Sequence, residues 1–400
     1  MSAPRRLYQQ IEAQITRYAA PRLRVTSIRR LATLVTGIVA SEHCALRRVA
    51  RELTALGLRQ AQPESTRRRL RRTVADARLD AGAGYAAAVQ ALVAWPASEP
   101  VLLVLDESTT PGEVHVLRLS LAYRGSCLPL AWAVWDHQDV LPAGTYWRQV
   151  ARVLARAAAI VPPELPVIVL ADRAYDVPGV IDRLAAYGWG WIIRVKARSK
   201  LVWRATDGAE QPLRDVLAAR LAQPGDRVRA AGCAFKKAGW RPVQLVGEWE
   251  PGYAEPLVVL TSLDLDGTVL RRYARRVWIE AAFRQDKSAG WDWAHSQLRE
   301  PVRVERLLLA LAWATLLALG LGAAQAERAL AALTARARRP KPSHPRDSLF
   351  SLGLDQLRAR LYGTVHGPLP WHLPPLTGPS WCAAWLAAHQ APPPAQSVPP

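Results

Sequence analysis

The sequence predicts an α/β protein in which a mixed sheet packs against helices and a helical, strongly basic region comes first. Three observations predict it. Apolar runs of strand length, two of them ending in an acid, start near residue 100 and are interspersed with amphipathic helical stretches. The first 95 residues carry a mostly helical pattern, and more than half of the chain's excess positive charge lies within them. Four hundred residues also exceed the usual size of one core, so two or three domains are expected. We place them at 1–95, 96–335 and 336–400.

The first region holds 17 Arg, no Lys and six acids, a net of +11. Pro21 and Pro63 punctuate it. After Pro63 the run ESTRRRLRRTVADARLD reads as a helix capped by Ser65 or Thr66. It bears Arg67, Arg68 and Arg71 among its arginines, which are candidate DNA contacts, and it resembles the second helix of a helix-turn-helix unit without a discernible turn motif. From residue 99 the texture changes. PVLLVLDEST, HVLRLSLAYRG and CLPLAWAVWD read as three strands, followed by a helix over about 146–159. PVIVLADRAYD is a further strand ending in an acid, then a helix at about 179–187 and the strand WGWIIRVKARSK. Short β-like pieces separated by turns fill about 200–265 and read as a small β insertion. Residues 307–324 are 18 residues of apolar side chains and Gly interrupted only by Thr315, which we read as a buried core helix rather than a membrane span. From Pro340 onward 13 of 61 residues are proline, so a partly extended or poorly ordered tail is expected.

Charge and cysteine usage narrow the function classes. The balance of 53 Lys+Arg against 33 Asp+Glu, a net of +20, points to nucleic acid or another anionic surface. Four widely separated cysteines with no CxxC pair argue against a zinc site or a disulfide framework. With no apolar run after the N-terminal arginines to serve as a signal peptide, the expected compartment is the cytoplasm.

The chemistry is concentrated in three acids. Asp106 and Asp172 end apolar strands, and their carboxylates converge if those strands are neighbours. Glu280 lies in YARRVWIEAAFRQDK, where Tyr273, Arg276, Glu280 and Lys287 stand at offsets of 0, 3, 7 and 14. On a regular helix these fall within roughly 60° of arc, so one face carries an acid beside groups suited to phosphate. Three carboxylates without His or Cys are hard oxygen donors, which favour two Mg²⁺ or Mn²⁺ ions over zinc. Such an ion pair catalyses in-line attack on a phosphodiester.

With these motifs assembled, the chain resembles the IS4-type DDE transposases. The spacing Y-x2-R-x3-E-x6-K matches that family's signature without a gap. LVLDEST resembles its first acid motif, VLADRAYD its second (with Ala174 where glycine is commoner), and YRGSCLPLAW the segment after the first acid. The likeness spans about residues 100–325. It implies an RNase H-like core interrupted by a β insertion, with Asp106, Asp172 and Glu280 binding the two metal ions. Tyr273, Arg276 and Lys287 would contact phosphates at the transposon end. Arg194 and Lys196, in a segment similar to a family R-x-K element, are further DNA contacts. Cut-and-paste transposition, double-stranded DNA as partner, a homodimeric synaptic complex, no membrane and a bacterial, nucleoid-associated location follow from the same likeness. A related RNase H-like nuclease and a DNA-binding protein with a repurposed catalytic domain are the alternatives. One departure stands out: the base-stacking tryptophan of some relatives falls near Leu257, and the nearest upstream tryptophan is Trp249.

Overall fold

A computed structural model describes residues 1–79, 82–109, 114–136, 141–196, 199–334 and 348–375. Five helices come first: α1 (Ala3–Ala19), α2 (Val25–Ser41), α3 (Leu46–Ala55), α4 (Pro63–Ala75) and α5 (Ala83–Leu92). The strands β1 (Val101–Thr109), β2 (Val114–Tyr123) and β3 (Ser126–Asp136) follow, then α6 (Thr145–Ala158), β4 (Val167–Ala171), α7 (Pro178–Ala186) and β5 (Gly190–Arg194). Next are β6 (Val202–Ala205), β7 (Glu210–Pro212), α8 (Leu213–Arg220), β8 (Arg227–Ala234), β9 (Arg241–Glu248) and β10 (Leu257–Thr261). The chain continues through α9 (Val269–Tyr273), α10 (Trp278–Arg284), α11 (Pro301–Thr334) and α12 (Leu349–Leu361).

One sheet of ten strands organises the molecule, in the order β3-β2-β1-β4-β5-β10-β9-β8-β6-β7. β1, β4 and β5 run parallel, and the remaining pairings are antiparallel. Arg124 and Gly125, both at positive φ, make the two-residue turn between β2 and β3. Both faces of the central strands are covered, which is why those strands are nearly all apolar rather than alternating. Leu103, Leu105, Val169 and Ala171 point into a large core with α6, α7 and α11, whereas Leu102, Val104, Ile168 and Leu170 join Val269, Ile279 and Phe283 of α9 and α10.

The structure refines several expectations. Within about 200–265, β6–β9 extend the main sheet past β10, itself hydrogen-bonded to β5. The N-terminal helices share one continuous apolar core with the sheet, α11 and α12. α4 begins at Pro63, which suits the first helical position, so Ser65 and Thr66 lie within its first turn instead of capping it. The apolar stretch 307–324 lies inside α11 and is almost wholly buried. The proline-rich tail is not extended throughout. Its helix α12 packs on α11, and Leu373 exchanges backbone hydrogen bonds with the end of α5. Residues 376–400 lie outside the described residues.

Two glycines permit the α11–α12 contact. A Cβ on Gly322 would stand 1.7 Å from the Leu349 carbonyl oxygen, and one on Gly353 would stand 1.9 Å from that of Ala318. In an isolated helix, Gly→Ala stabilises by up to ~1 kcal/mol. Here overpacking wins, and Gly322→Ala should destabilise by about 1–3 kcal/mol. Denaturant unfolding tests this: an unchanged or raised midpoint would show that α12 does not depend on the close approach.

Candidate functional site

The parallel pairing of β1 with β4 sets Leu105 opposite Ala171, so Asp106 and Asp172 are the next residues on adjacent strands. Both continue the side-chain parity of Leu102–Val104 and Ile168–Leu170, which places them on the α9–α10 face of the sheet. Asp106 accepts the backbone N–H of Glu107 at 2.9 Å, and Asp172 accepts that of Ala174 at 2.8 Å. Burial pushes the Asp106 carboxyl up to about 6; Arg276 and the Glu107 N–H pull the other way, and the charges of Asp172 and Glu280 add to the rise.

The Tyr273–Lys287 segment is helical throughout but not one regular α-helix. It passes from α9 through a tight 3₁₀ turn at Ala274–Val277 into α10, then widens into a π-turn at Gln285–Ala289. The single α-helical face read from the spacing therefore gives way to a more specific arrangement. Arg276 donates to Glu280 Oε1 at 2.8 Å and to Asp106 Oδ2 at 3.0 Å, joining the helix to the strand end. Lys287 donates to the Thr109 carbonyl oxygen at 2.5 Å, farther along β1, and has no carboxylate partner among the described residues. Burial lowers its pKa. The Tyr273 ring is buried in the core between α9, α10 and the sheet, and that burial pushes its hydroxyl up to about 12.

Asp106, Asp172, Arg276 and Glu280 thus gather at one place, with Lys287 alongside. Among the other sequence-predicted residues, Arg194 ends β5 one residue past Ile193, the partner of Ala171, so it stands half-buried beside Asp172. Lys196 lines a cleft of about 670 Å³ with Arg173, Asp176, Lys200, Lys236 and Lys237. Arg67 and Arg68 share the Glu64 carboxylate, Arg67 through two bonds of 2.8 Å, and Arg71 is exposed on the same helix. Of the tryptophans near Glu280, Trp291 and Trp293 are fully buried, while Trp278 is half-buried beside Arg275. Trp249 donates to the Tyr253 carbonyl oxygen at 2.9 Å in the β9–β10 connection.

The carboxylates supply the hard oxygen donors that Mg²⁺ or Mn²⁺ prefers. Among the described residues, however, no three or more His, Cys, Asp or Glu side chains converge closely enough to form a metal site. The Arg276 guanidinium, bonded to both Asp106 and Glu280, supplies the positive charge at that point. Glu280 is more than half exposed and can reorient.

Sequence reading missed the anchor beneath the site. Arg118 on β2, opposite Asp106, pairs with Asp286 in the π-turn, and both are buried. The Arg118 guanidinium also lies over the Phe283 ring, 4.2 Å from its centre. An arginine within the apolar run HVLRLSLAY was the available signal, because a buried charge requires a partner.

Carboxylates at adjacent strand ends, one of them bound by an arginine from a crossing helical segment, define an α/β protein with an acidic polar site. Residues 137–317 match the family model described as the transposase DDE domain, a stretch containing Asp172, Tyr273, Arg276, Glu280 and Lys287. Over that stretch the chain is similar to this family, which supports its reading as a DDE transposase. Asp106 precedes the matched residues. No curated protein matches the chain.

The raised Asp106 pKa makes a signed prediction for the metal-free protein. Between about pH 4 and 6 the folded state binds the proton more tightly than the unfolded state, so stability falls as pH rises. Asp106→Asn should therefore stabilise by about 1–3 kcal/mol above pH 6, with the gain fading toward pH 4. Melting curves across pH check this, and a gain independent of pH would refute it.

Proposed function

We propose that the protein is an IS4-type cut-and-paste transposase with an RNase H-like core. In this reading it binds inverted-repeat ends, cleaves them and joins the 3′-hydroxyls to target DNA. The carrying observation is the register that makes Asp106 and Asp172 neighbours beneath Arg276 and Glu280. The strand order β3-β2-β1-β4-β5, with only β2 reversed relative to β1, supports the core assignment.

Asp106, Asp172 and Glu280 would hold two Mg²⁺ or Mn²⁺ ions, which activate the attacking oxygen and stabilise the leaving one. Before they bind, Arg276 balances the charges of Asp106 and Glu280. Its planar fork suits a phosphate as well as a carboxylate, so it can turn to the DNA end when the acids are otherwise engaged. Lys287 offers a charge already held at the rim by the Thr109 carbonyl. The Tyr273 ring braces the segment from within and its hydroxyl is the group assigned to a phosphate. Arg194 and Lys196 extend the contact beyond β5, and Arg67, Arg68 and Arg71 contact DNA from α4. Two chains synapse two ends as a homodimer, acting in the cytoplasm on the bacterial nucleoid.

Mg²⁺-dependent cleavage and strand transfer on a duplex carrying the inverted repeats that flank the gene test this reading. Asp106→Asn, Asp172→Asn and Glu280→Gln should each reduce cleavage by at least about 10³-fold, the scale of a lost electrostatic stabiliser, while end binding persists. Retained cutting in any one would remove that residue from the metal assignment. Lys287→Ala should lower cleavage about 10²–10³-fold and weaken end contacts without changing Mn²⁺ affinity. Wild-type activity in that variant would show that the Thr109-tethered amine does not touch the reacting DNA.

A further inference from the structure

The N-terminal helices form a cleft separate from the strand-end acids. It lies between α2 and α4, encloses about 300 Å³, and is lined by Arg30, Arg59, Arg69 and Arg72 above Thr33 and Thr66. Arg59 reaches it from the α3–α4 connection and is fixed by a 2.7 Å bond to the Thr33 hydroxyl. Arg30 faces one carboxylate, Asp76, at 3.4 Å. Among the described residues Arg59, Arg69 and Arg72 have no carboxylate partner, in contrast to Arg67 and Arg68 on the same helix, which share Glu64. Thr66 is 2% exposed, and its hydroxyl has no hydrogen-bond partner among the described residues. A second cleft of about 350 Å³ shares Thr33 and Arg59 and continues toward Arg5 and Arg29.

Four guanidiniums around one recess with a single acid repel one another unless an anion joins them. Their forked donors match the oxygens of a phosphate. Side chains gathered at one recess grip a single group instead of spreading along base edges, so the contact positions DNA without reading its sequence. We infer that the α2–α4 cleft seats a backbone phosphate of DNA, held by Arg59, Arg69 and Arg72, and makes a sequence-independent contact away from the catalytic acids. The inference rests on the DNA-transposase reading and adds to the α4 contact Arg69 and Arg72, neither of which is paired with Glu64.

The test measures binding of the full chain, without divalent metal, to a labelled duplex bearing the flanking inverted repeat and to a scrambled duplex of equal length. Arg69→Ala/Arg72→Ala should weaken both duplexes by the same factor. It should also reduce the slope of log affinity against log salt by about 1, roughly 0.9 for the one phosphate that the variant no longer neutralises. Arg214→Ala/Arg227→Ala removes the same charge from another surface and should leave the slope nearly unchanged. If melting shows that the alanine variant is misfolded, Arg69→Gln/Arg72→Gln replaces it. An unaltered slope with both duplexes overturns the inference while leaving the transposase reading intact, provided the wild type binds its ends. Weakening confined to the repeat also overturns it, because the arginines would then be reading bases. If inorganic phosphate at constant ionic strength raises the wild-type melting point but not the variant's, and DNA affinity is equal in the two, the cleft takes free phosphate and the DNA assignment falls. Absence of any DNA binding by the wild type would instead refute the underlying reading.

Discussion

The parallel, in-register pairing of β1 and β4 is the constraint on which the site depends. Parallel neighbours end on the same side of a sheet, so two acids one residue past Leu105 and Ala171 must lie side by side. A slip of one residue would turn one acid to the opposite face. Register is protected because both faces are buried: Leu103 and Leu105 belong to one core, Leu102 and Val104 to the other. The apolar runs before Asp106 and Asp172 therefore set the geometry of the acids as well as stabilising the sheet.

The charges at this edge stand in two layers. At the mouth, Arg276 bridges the largely buried Asp106 and the exposed Glu280, which is free to change partner. Beneath them, Arg118 and Asp286 are almost completely enclosed. Removing one member of such a buried pair commonly costs about 3–5 kcal/mol, because the survivor keeps its charge without a partner. The Nε and Nη2 atoms of Arg118 have no hydrogen-bond partner among the described residues, and the Phe283 face beneath the guanidinium offsets part of that cost. The enclosed pair fixes the end of the Tyr273–Lys287 segment to β2, while the exposed Glu280 end of the bridge remains free to exchange.

Much of this was legible in sequence. Apolar runs ending in acids located β1 and β4, and helical spacing brought Arg276 to Glu280. The winding of Tyr273–Lys287 was not legible, because the changes from 3₁₀ to α to π follow from tertiary contacts that spacing does not encode. How the β-like pieces of about 200–265 join the sheet was not legible for a related reason: turn-rich strands look alike whether they form their own sheet or extend another. Proline content likewise hid α12, a proline-free stretch whose helix is stabilised by packing against α11. Nor did arginine count distinguish Arg67, held by Glu64, from Arg69 and Arg72, which lack an acid; only side-chain placement separates them.

The region after Lys287 explains why the N-terminal helices and the tail join the sheet and the Tyr273–Lys287 segment. Trp291 is buried edge-on against Phe350 of α12, and its indole donates to Thr315 of α11 at 2.9 Å. Gly290 is needed there, since a Cβ would stand 2.5 Å from the Phe350 ring. From the other side, the Cys44 N–H donates to the Trp291 carbonyl at 2.8 Å, and His43 Nε2 donates to Asp292 at 2.8 Å. His43 Nδ1 accepts the Ala45 N–H, which leaves Nε2 as the protonated nitrogen. The α2–α3 corner and α12 therefore close on the residues immediately following the π-turn. The segment carrying Glu280 and Lys287 is held on three sides, by β2 through Asp286, by the N-terminal helices through Asp292, and by the tail through Trp291. Sequence boundaries at about 95 and 336 mark changes in composition, but the packing continues across both.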